Sequence, residues 1–291
     1  MDFRTGAWAC AILEAQHADG SWGQFHSRIA PYKDWTTEQA LRRLRILGFT
    51  REDLPIRRAL AYLRDCLLGR QAIPDRREKG AGWDCYVELM LATAIRIFAP
   101  DDPDVRRVVK QWRAVVTASF ETGTFDERVY TRVFGDTFGM PSSSHPRYAD
   151  LSCRYPIELL AGALDAVTGA ALVRLVLDHP SGLYYVCDGP IRTPPPSGTD
   201  RRAGSWIGAI EILSFHPGKE VRRELRFAAA WLDGLRDLAG GWDLGPAARD
   251  GIYLPLSDSW RSPGVRRTDC TLRINALMER LCGQTGEAEP K

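Results

Sequence analysis

Acidic residues recur on the most apolar predicted helices of this 291-residue chain. Burying a carboxylate is costly unless it is paired or used, so these acids are the first candidates for chemistry. In a cavity of low polarity, a carboxyl group holds its proton more tightly and is able to donate or accept it during a reaction. The candidate catalytic acids are Asp34, Glu38, Asp84, Glu88, Glu158, Glu211 and Asp269.

Two pairs of these acids have helical spacing. Asp34 and Glu38 are four residues apart, as are Asp84 and Glu88, which places each pair on one helix face near its start. The alternative to chemistry is structural, because acids at helix starts also cap them or form ion pairs with nearby cations. The arginines best placed for such pairs are Arg42, Arg154 and Arg273.

Aromatic side chains accompany the acids along the same segments. Their ring faces are able to stabilise a cationic intermediate, while packing in the core explains them equally well. Arg154 and His145 add a cation and an imidazole to the candidates for substrate contact. The aromatic candidates are Trp35, Tyr86, Tyr155 and Trp206.

A repeated unit of helix, glycine-aromatic turn and second helix positions these residues. The turns contain Gly20-Ser21-Trp22, Gly82-Trp83, Gly123-Thr124-Phe125, Gly182-Leu183-Tyr184 and Gly241-Trp242. Apolar residues at intervals of three and four predict outer helices with one wet face near 3–17, 55–69, 103–119, 168–178 and 219–238. More apolar inner helices are predicted near 35–48, 84–98, 151–167, 205–215 and 268–282.

These hairpins predict an all-α fold in which about five of them close into an α/α toroid, because closure buries the ends of the row. We expect one domain over residues 1–284 and a disordered tail over 285–291. Residues 182–187 are compatible with one short strand, which leaves the all-α class unchanged. A central cavity lined by the inner helices is the expected consequence.

The first turn, with Gln16 four residues after Ile12 and followed by Gly20-Ser21-Trp22, resembles the QW motif of the squalene cyclase family. The last turn keeps this frame around Trp242, with Arg236 in the place of the glutamine. The pattern is also similar to the α/α toroids of terpene cyclases and protein prenyltransferase β-subunits. The resemblance implies that Gln and Trp of such turns tie outer helices together and do not perform chemistry.

Two departures from these families limit what the resemblance implies. The D-x-D-D acid motif of class II terpene cyclases is missing from the sequence, and residues 101–104 (Asp-Asp-Pro-Asp) are better explained as a helix N-cap. Prenyltransferases bind zinc, and Asp84-Cys85, Cys153, Asp269-Cys270 and His145 lie at comparable places without the family's spacing. We therefore expect no cofactor, with zinc as the alternative.

Four long segments are predicted as loops over one mouth of the ring: residues 23–34, 127–150, 186–204 and 244–267. They are rich in arginine, which binds diphosphate or carboxylate groups well, and they hold His26 and His145. Solvated loop charges without a ligand are the alternative. The arginines are Arg128, Arg132, Arg147, Arg192, Arg201, Arg202, Arg261, Arg266 and Arg267.

Composition excludes several classes of protein. The net charge of +2 does not favour nucleic-acid binding, and no apolar run approaches the roughly 20 residues that span a bilayer. Seven scattered cysteines do not suggest a disulfide framework. The first residues lead directly into a helical pattern, so we expect no signal peptide and a cytoplasmic location.

The main functional hypothesis is a terpene cyclase-like enzyme that cyclises or rearranges a hydrophobic isoprenoid or polyene substrate in a central cavity. An inner-helix carboxylic acid would transfer the proton, and the substrate would carry an anionic group. A prenyltransferase-like enzyme and a non-catalytic ligand-binding toroid are the alternatives. A carbohydrate lyase or epimerase is a third, and it would need tyrosine, histidine and arginine side chains around a polar substrate.

Overall fold

A computed structural model describes residues 2–26, 34–78, 82–144 and 149–283. Within these ranges the chain forms twelve α-helices, a few single 3-10 turns and one two-stranded antiparallel hairpin. The predicted helical class is therefore confirmed, while the closed ring of hairpins stays a prediction. The predicted tail over 285–291 and His145 lie outside the described residues.

The chain divides into two compact units, and the boundary falls inside one helix. The first unit comprises Met1–Gln111 with Leu256–Asp258, and the second comprises Trp112–Pro255 with Ser259–Lys291. The first contains α1 (Ala7–Glu14), α2 (Thr37–Ile46), α3 (Leu54–Leu67), α4 (Trp83–Phe98) and the start of α5 (Arg106–Ser119). In it α1 packs on α2 and α3 packs on α4, as the hairpins predicted.

The second unit contains the remaining elements. They are α6 (Glu127–Phe138), α7 (Arg154–Leu160), α8 (Ala166–Asp178), β1 (Gly182–Leu183), β2 (Cys187–Asp188), α9 (Ala203–Leu213), α10 (Lys219–Glu224), α11 (Arg226–Gly234) and α12 (Pro263–Cys282). The predicted helix over 219–238 is divided at Leu225 into α10 and α11, and both pack on α12. The strand expected over 182–187 is a short hairpin, in which Gly182 pairs with Asp188.

Burial agrees with the predicted apolar character of some helices and corrects it for others, while the inner and outer rings stay a prediction. Successive residues of α4, from Leu89 to Ile95, are buried, and α9 is buried on nearly every side. By contrast α8, predicted as an outer helix, is buried over residues 168–173 because its first two turns carry no charge. The predicted inner helix α12 buries only one face, which carries the charged side chains of Arg266 and Asp269 beside apolar ones.

Helix α6 is a correction, because residues 127–150 were predicted to be a loop. Asp126 caps the helix by accepting hydrogen bonds from two backbone N–H groups, and Gly139 ends it in the left-handed conformation. Tyr130, Phe134 and Phe138 are spaced by four residues and lie on one face. Two of these rings, Phe134 and Phe138, pack on Trp112 of α5 at centroid distances of 5.9 and 5.1 Å. Aromatic packing on α5 therefore stabilises α6, which was predicted to be a loop.

The first and last turns of the repeat have the same hydrogen-bond pattern. The indole Nε1 of Trp22 donates to the carbonyl of Ile12, and that of Trp242 donates to Leu232, each ten residues earlier and each at 2.6 Å. The backbone N–H of each tryptophan donates to a threonine hydroxyl on the helix that follows, at 2.9 and 3.0 Å. The sequence repeat at these two turns is thus also a structural repeat.

Gln16 marks the difference between the two turns. Its Nε2 donates to the carbonyls of Gly20 and Pro55, so it connects the first turn to the start of α3. Arg236 stands in the equivalent place of the last turn, where its guanidinium lies over the ring of Trp242 at 4.6 Å. At this position the first turn forms a hydrogen bond to the next helix, whereas the last turn forms a cation–π contact within itself.

Candidate functional site

Two of the seven candidate acids lie at the surface. Asp34 is exposed just before α2, and Asp84 is exposed in the first turn of α4. Both carboxylate oxygens of Asp84 accept hydrogen bonds from the Arg77 guanidinium, at 2.9 and 2.7 Å. An exposed pair of this kind contributes little to stability and does not build a shielded catalytic site.

Three further acids are held by arginines. Glu88 on α4 pairs with Arg107 of α5. Glu158 and Arg154 pair at 2.7 Å across one turn of α7, with both side chains nearly buried. A guanidinium does not give up its proton at any ordinary pH, so a carboxylate that it pairs with is stabilised as an anion. For Glu158 the predicted ion pair with Arg154 is therefore confirmed.

Glu211 is the most heavily paired of the acids. Its carboxylate lies on the buried helix α9 and contacts Arg273 and Arg280 of α12, the latter at 2.9 Å. The predicted partner Arg273 is thus confirmed. Asp269, also on α12, is fully buried. Because a buried carboxylate between two guanidinium groups joins two helices, Glu211 has a structural role.

The predicted aromatic candidates are mostly engaged in packing. Trp206 donates its indole N–H to the carbonyl of Ile191 at 2.7 Å and packs on Trp231. The ring of Tyr155 is buried under the guanidinium of Arg154 at 4.9 Å. Trp35 is half-buried before α2. Tyr86 differs, because its buried ring stands edge-on to an imidazole in the first unit.

The predicted arginine-rich loops are partly helical and partly neutralised. Arg128 and Arg132 belong to α6, and α12 starts at Pro263, five residues earlier than predicted, so it includes Arg266 and Arg267. The arginines with carboxylate partners are Arg192 with Asp178 and Glu224, Arg266 with Asp243, and Arg267 with Asp237. Arg147 lies outside the described residues. Because carboxylates neutralise these arginines, they are less suited to bind the anionic substrate group that the arginine-rich loops suggested.

His26 and Glu38 form the arrangement best suited to chemistry in the described part of the chain. His26 Nδ1 lies 2.8 Å from Glu38 Oε2, and the two side chains are only 13% and 8% exposed. Arg42, one turn further along α2, lies 3.9 Å from the other carboxylate oxygen of Glu38. The Tyr86 ring is edge-on to the imidazole, with centroids 6.1 Å apart.

The start of α2 places this pair. Thr36 caps the helix by accepting a hydrogen bond from the backbone of Gln39, so that Glu38 lies in the first turn, where the helix dipole favours an anion. The carbonyls of Gln24 and Phe25 accept the backbone N–H groups of Thr37 and Glu38, at 2.9 and 3.1 Å. The segment that precedes His26 therefore completes the N-terminus of the helix that carries Glu38.

The contact fixes what each ring nitrogen of His26 does. A carboxylate only accepts, so Nδ1 carries the proton that it donates to Glu38. In this tautomer Nε2 is the ring nitrogen that carries the lone pair and is therefore the basic atom of the imidazole. Glu38 was predicted from the sequence as a catalytic acid and Tyr86 as a substrate contact, whereas His26 was predicted only as a histidine in a loop. The separation of twelve residues between His26 and Glu38 carries no signal that reveals the pair.

The proposed zinc residues do not converge in the described ranges. Among residues 2–26, 34–78, 82–144 and 149–283, no three His, Cys, Asp or Glu side chains are grouped so as to hold a metal ion. Burial raises the pKa of the Cys85 and Cys270 thiols to about 12, so both are protonated in the metal-free chain. None of the described helices is long and apolar enough to cross a bilayer.

Comparisons of the whole chain with protein-family models, with curated proteins and with solved structures find no match.

Proposed function

We propose that the protein is a proton-transfer enzyme, a cyclase-like isomerase or lyase, whose site is built on His26 and Glu38. The observation that carries this proposal is the 2.8 Å contact between His26 Nδ1 and Glu38 Oε2 within two nearly buried side chains. Imidazole is the side chain best matched to proton transfer near neutral pH. The proposal thus assigns proton transfer to an imidazole that a carboxylate orients, in place of a lone carboxylic acid.

A hydrophobic isoprenoid or polyene is the proposed substrate. Its support is the likeness of the first and last turns to the QW motif, together with the rings of Tyr86 and Trp83, which pack on each other next to the imidazole. In the proposed step, the diphosphate of a prenyl substrate leaves with the electron pair of its C–O bond, and Nε2 accepts a proton from the carbon next to the resulting cationic centre. The C–H electron pair becomes the second bond of an alkene, and the cation is neutralised.

The test compares product formation by matched variants. The protein is incubated with prenyl diphosphates of increasing length and with squalene, and extracts are analysed by gas chromatography and mass spectrometry. His26→Gln is expected to lower kcat by roughly a hundredfold or more, since it removes the proton acceptor. Glu38→Gln is expected to act in the same direction because its amide orients the imidazole less well. Glu224→Gln changes an arginine-paired carboxylate in the second unit and serves as control.

The result that supports the proposal is turnover that is lost in His26→Gln and retained in Glu224→Gln. Equal turnover by wild type and His26→Gln would overturn it. Binding of a prenyl diphosphate or squalene without product in the wild type would instead favour the non-catalytic ligand-binding alternative. That alternative is motivated by the arginine pairing of Glu88, Glu158 and Glu211.

A lyase or epimerase acting on an acidic sugar is the second candidate. The observation in its favour is that His26, Glu38 and Tyr86 are grouped, with Arg42 next to Glu38, because this chemistry needs histidine, tyrosine and arginine together. His26 Nε2 would take the proton next to the sugar carboxylate, and expulsion of the glycosidic oxygen would leave a C=C bond. Ultraviolet absorbance from uronic-acid oligosaccharides would reveal that bond, and only this candidate predicts it.

A further inference from the structure

The backbone at His26 is attached to a carboxylate from a distant part of the chain. Asp75 lies in the segment between α3 and α4, 49 residues after His26. Its Oδ1 accepts the N–H of Phe25 at 2.5 Å, and its Oδ2 accepts the N–H of His26 at 2.9 Å. One carboxylate therefore fixes two successive peptide groups, with one oxygen for each.

The carbonyl oxygens of the same two peptide groups accept hydrogen bonds from the start of α2. The carbonyl of Phe25 accepts the N–H of Glu38, so Phe25 lies between Asp75 and the first turn of α2. The backbone that carries the imidazole is thus attached to the same helix turn that carries its carboxylate partner. A small shift of this backbone changes the distance between Nδ1 and Oε2 directly.

We infer that Asp75 is a positioning residue for His26, and that it holds the imidazole in the single tautomer with Nδ1–H directed at Glu38. Asp75 does not contact the reacting nitrogen, so its effect is transmitted through the peptide groups of Phe25 and His26. Anionic oxygens are the acceptors that hold N–H donors most firmly, which explains why a carboxylate occupies this position. The inference rests on the proposed function for its catalytic consequence, but not for its structural one.

The experiment measures the tautomer of His26 by nitrogen-15 NMR of the whole chain. The chain contains five histidines, so the His26 signals are assigned by their loss in His26→Gln. The wild type is expected to show the Nδ1–H tautomer alone. Asp75→Asn keeps the shape but directs an NH2 group at one backbone N–H, so a mixture of the two neutral tautomers is expected. The control is Asp65→Asn, which alters an exposed carboxylate paired with Arg70 and should leave the wild-type tautomer.

Kinetics supply a second readout where a substrate has been found. Asp75→Asn is expected to lower kcat by roughly tenfold to a hundredfold, the scale expected for a small misplacement of a catalytic group, with KM nearly unchanged. A mixture of tautomers together with a lower kcat supports the inference. A single Nδ1–H tautomer in Asp75→Asn would overturn it, whatever happens to kcat.

Asp75→Glu is the second variant, for the case in which Asp75→Asn does not fold. If Asp75→Asn has no cooperative unfolding transition, the longer carboxylate of Asp75→Glu is compared instead, and a tautomer mixture is again expected because its oxygens are displaced by one methylene. The wild-type tautomer in that variant would contradict the inference. If no substrate is turned over by the wild type, the proposed function fails while the tautomer measurement still decides the role of Asp75.

Discussion

His216 provides a quantitative prediction about acid stability. Its side chain lies after α9 in the second unit and is 2% exposed. Nε2 lies 3.0 Å from the carbonyl of Ile157, so the neutral ring donates from this nitrogen. Nδ1 has no hydrogen-bond partner in the described part of the chain, and it points toward Gly169, where an added Cβ would lie 3.7 Å away.

Burial lowers the pKa of His216 from its ordinary 6.5 to about 4, although the bond to the Ile157 carbonyl acts in the opposite direction. Above pH 6.5 the ring is neutral in the folded and the unfolded chain, so the stability is complete. Between pH 6.5 and 4 the unfolded chain binds a proton that the folded chain does not, and stability falls as the pH falls. The full difference corresponds to about 3 kcal/mol, of which about 1 kcal/mol is lost by pH 5.5.

The assay is urea unfolding of wild type, His216→Gln and His216→Leu at pH 7.5, 6.5 and 5.5, in steps of about one unit. Each step measures how the free energy of unfolding changes with pH. Both variants are expected to be less stable than the wild type at the highest pH. Neither variant titrates at this position. The difference in unfolding free energy between wild type and each variant should therefore be smaller by about 1 kcal/mol at the lowest pH than at the highest. The two variants should show the same narrowing even if their absolute stabilities differ. A gap that is constant over this range would refute the assignment of a buried neutral imidazole.

Five further substitutions test the fold and the structural acids. Trp22→Phe and Trp242→Phe each remove an equivalent indole hydrogen bond and part of a buried ring, so each should lower the free energy of unfolding by about 2 kcal/mol in denaturant titrations. Very unequal losses would contradict the equivalence of the two turns. Gly182→Ala should lower the melting temperature by several degrees, because φ is +74° and the added Cβ would overlap backbone carbonyl oxygens; an unchanged melting curve would argue against this backbone. Glu211→Gln should cost roughly 3 kcal/mol, whereas Asp84→Asn should be nearly neutral, and equal effects in chemical denaturation would contradict the contrast between a buried and an exposed ion pair.

The helices that the sequence predicted well are those with an unambiguous apolar pattern. α4 was expected over 84–98 and forms over Trp83–Phe98, because a long run without proline or glycine leaves no other choice. α3 was expected over 55–69 and forms over Leu54–Leu67, with Pro55 in its first turn. The N-cap interpretation of residues 101–104 is also confirmed, since the Asp102 side chain accepts the N–H of Asp104 and pairs with Arg64.

The errors came from assigning each helix an inner or outer position by its order along the chain. α6 had all the local signals of a helix, including Asp126 at its start and Gly139 at its end, but the repeat left no place for it. α8 was predicted as an outer helix although Arg174 is the only charged residue before its last position. In both cases the local composition was a better guide than the expected alternation of inner and outer helices.

The candidate site was only half predictable for a different reason. Glu38 follows from helical spacing, and so do the ion pairs one turn apart, Arg42 with Glu38 and Arg154 with Glu158. The pairing of Glu38 with His26 depends on the path of the backbone before α2, which no periodic pattern encodes. The attachment of that backbone to Asp75 spans about fifty residues, as two sequence-distant segments meet.

The identity of the partner decides which carboxylates are able to take part in chemistry. An arginine keeps its proton throughout the pH range in which proteins are folded, so the partners of Glu158 and Glu211 have no proton to exchange. An imidazole exchanges its proton near neutral pH, so a carboxylate of the same kind becomes part of a proton-transfer pair when its partner is histidine. Glu38 has both partners, with Arg42 on one oxygen and His26 on the other. Under the proposed function, the contact of Glu38 with His26 is what orients the imidazole for proton transfer at Nε2, while Arg42 holds the other carboxylate oxygen.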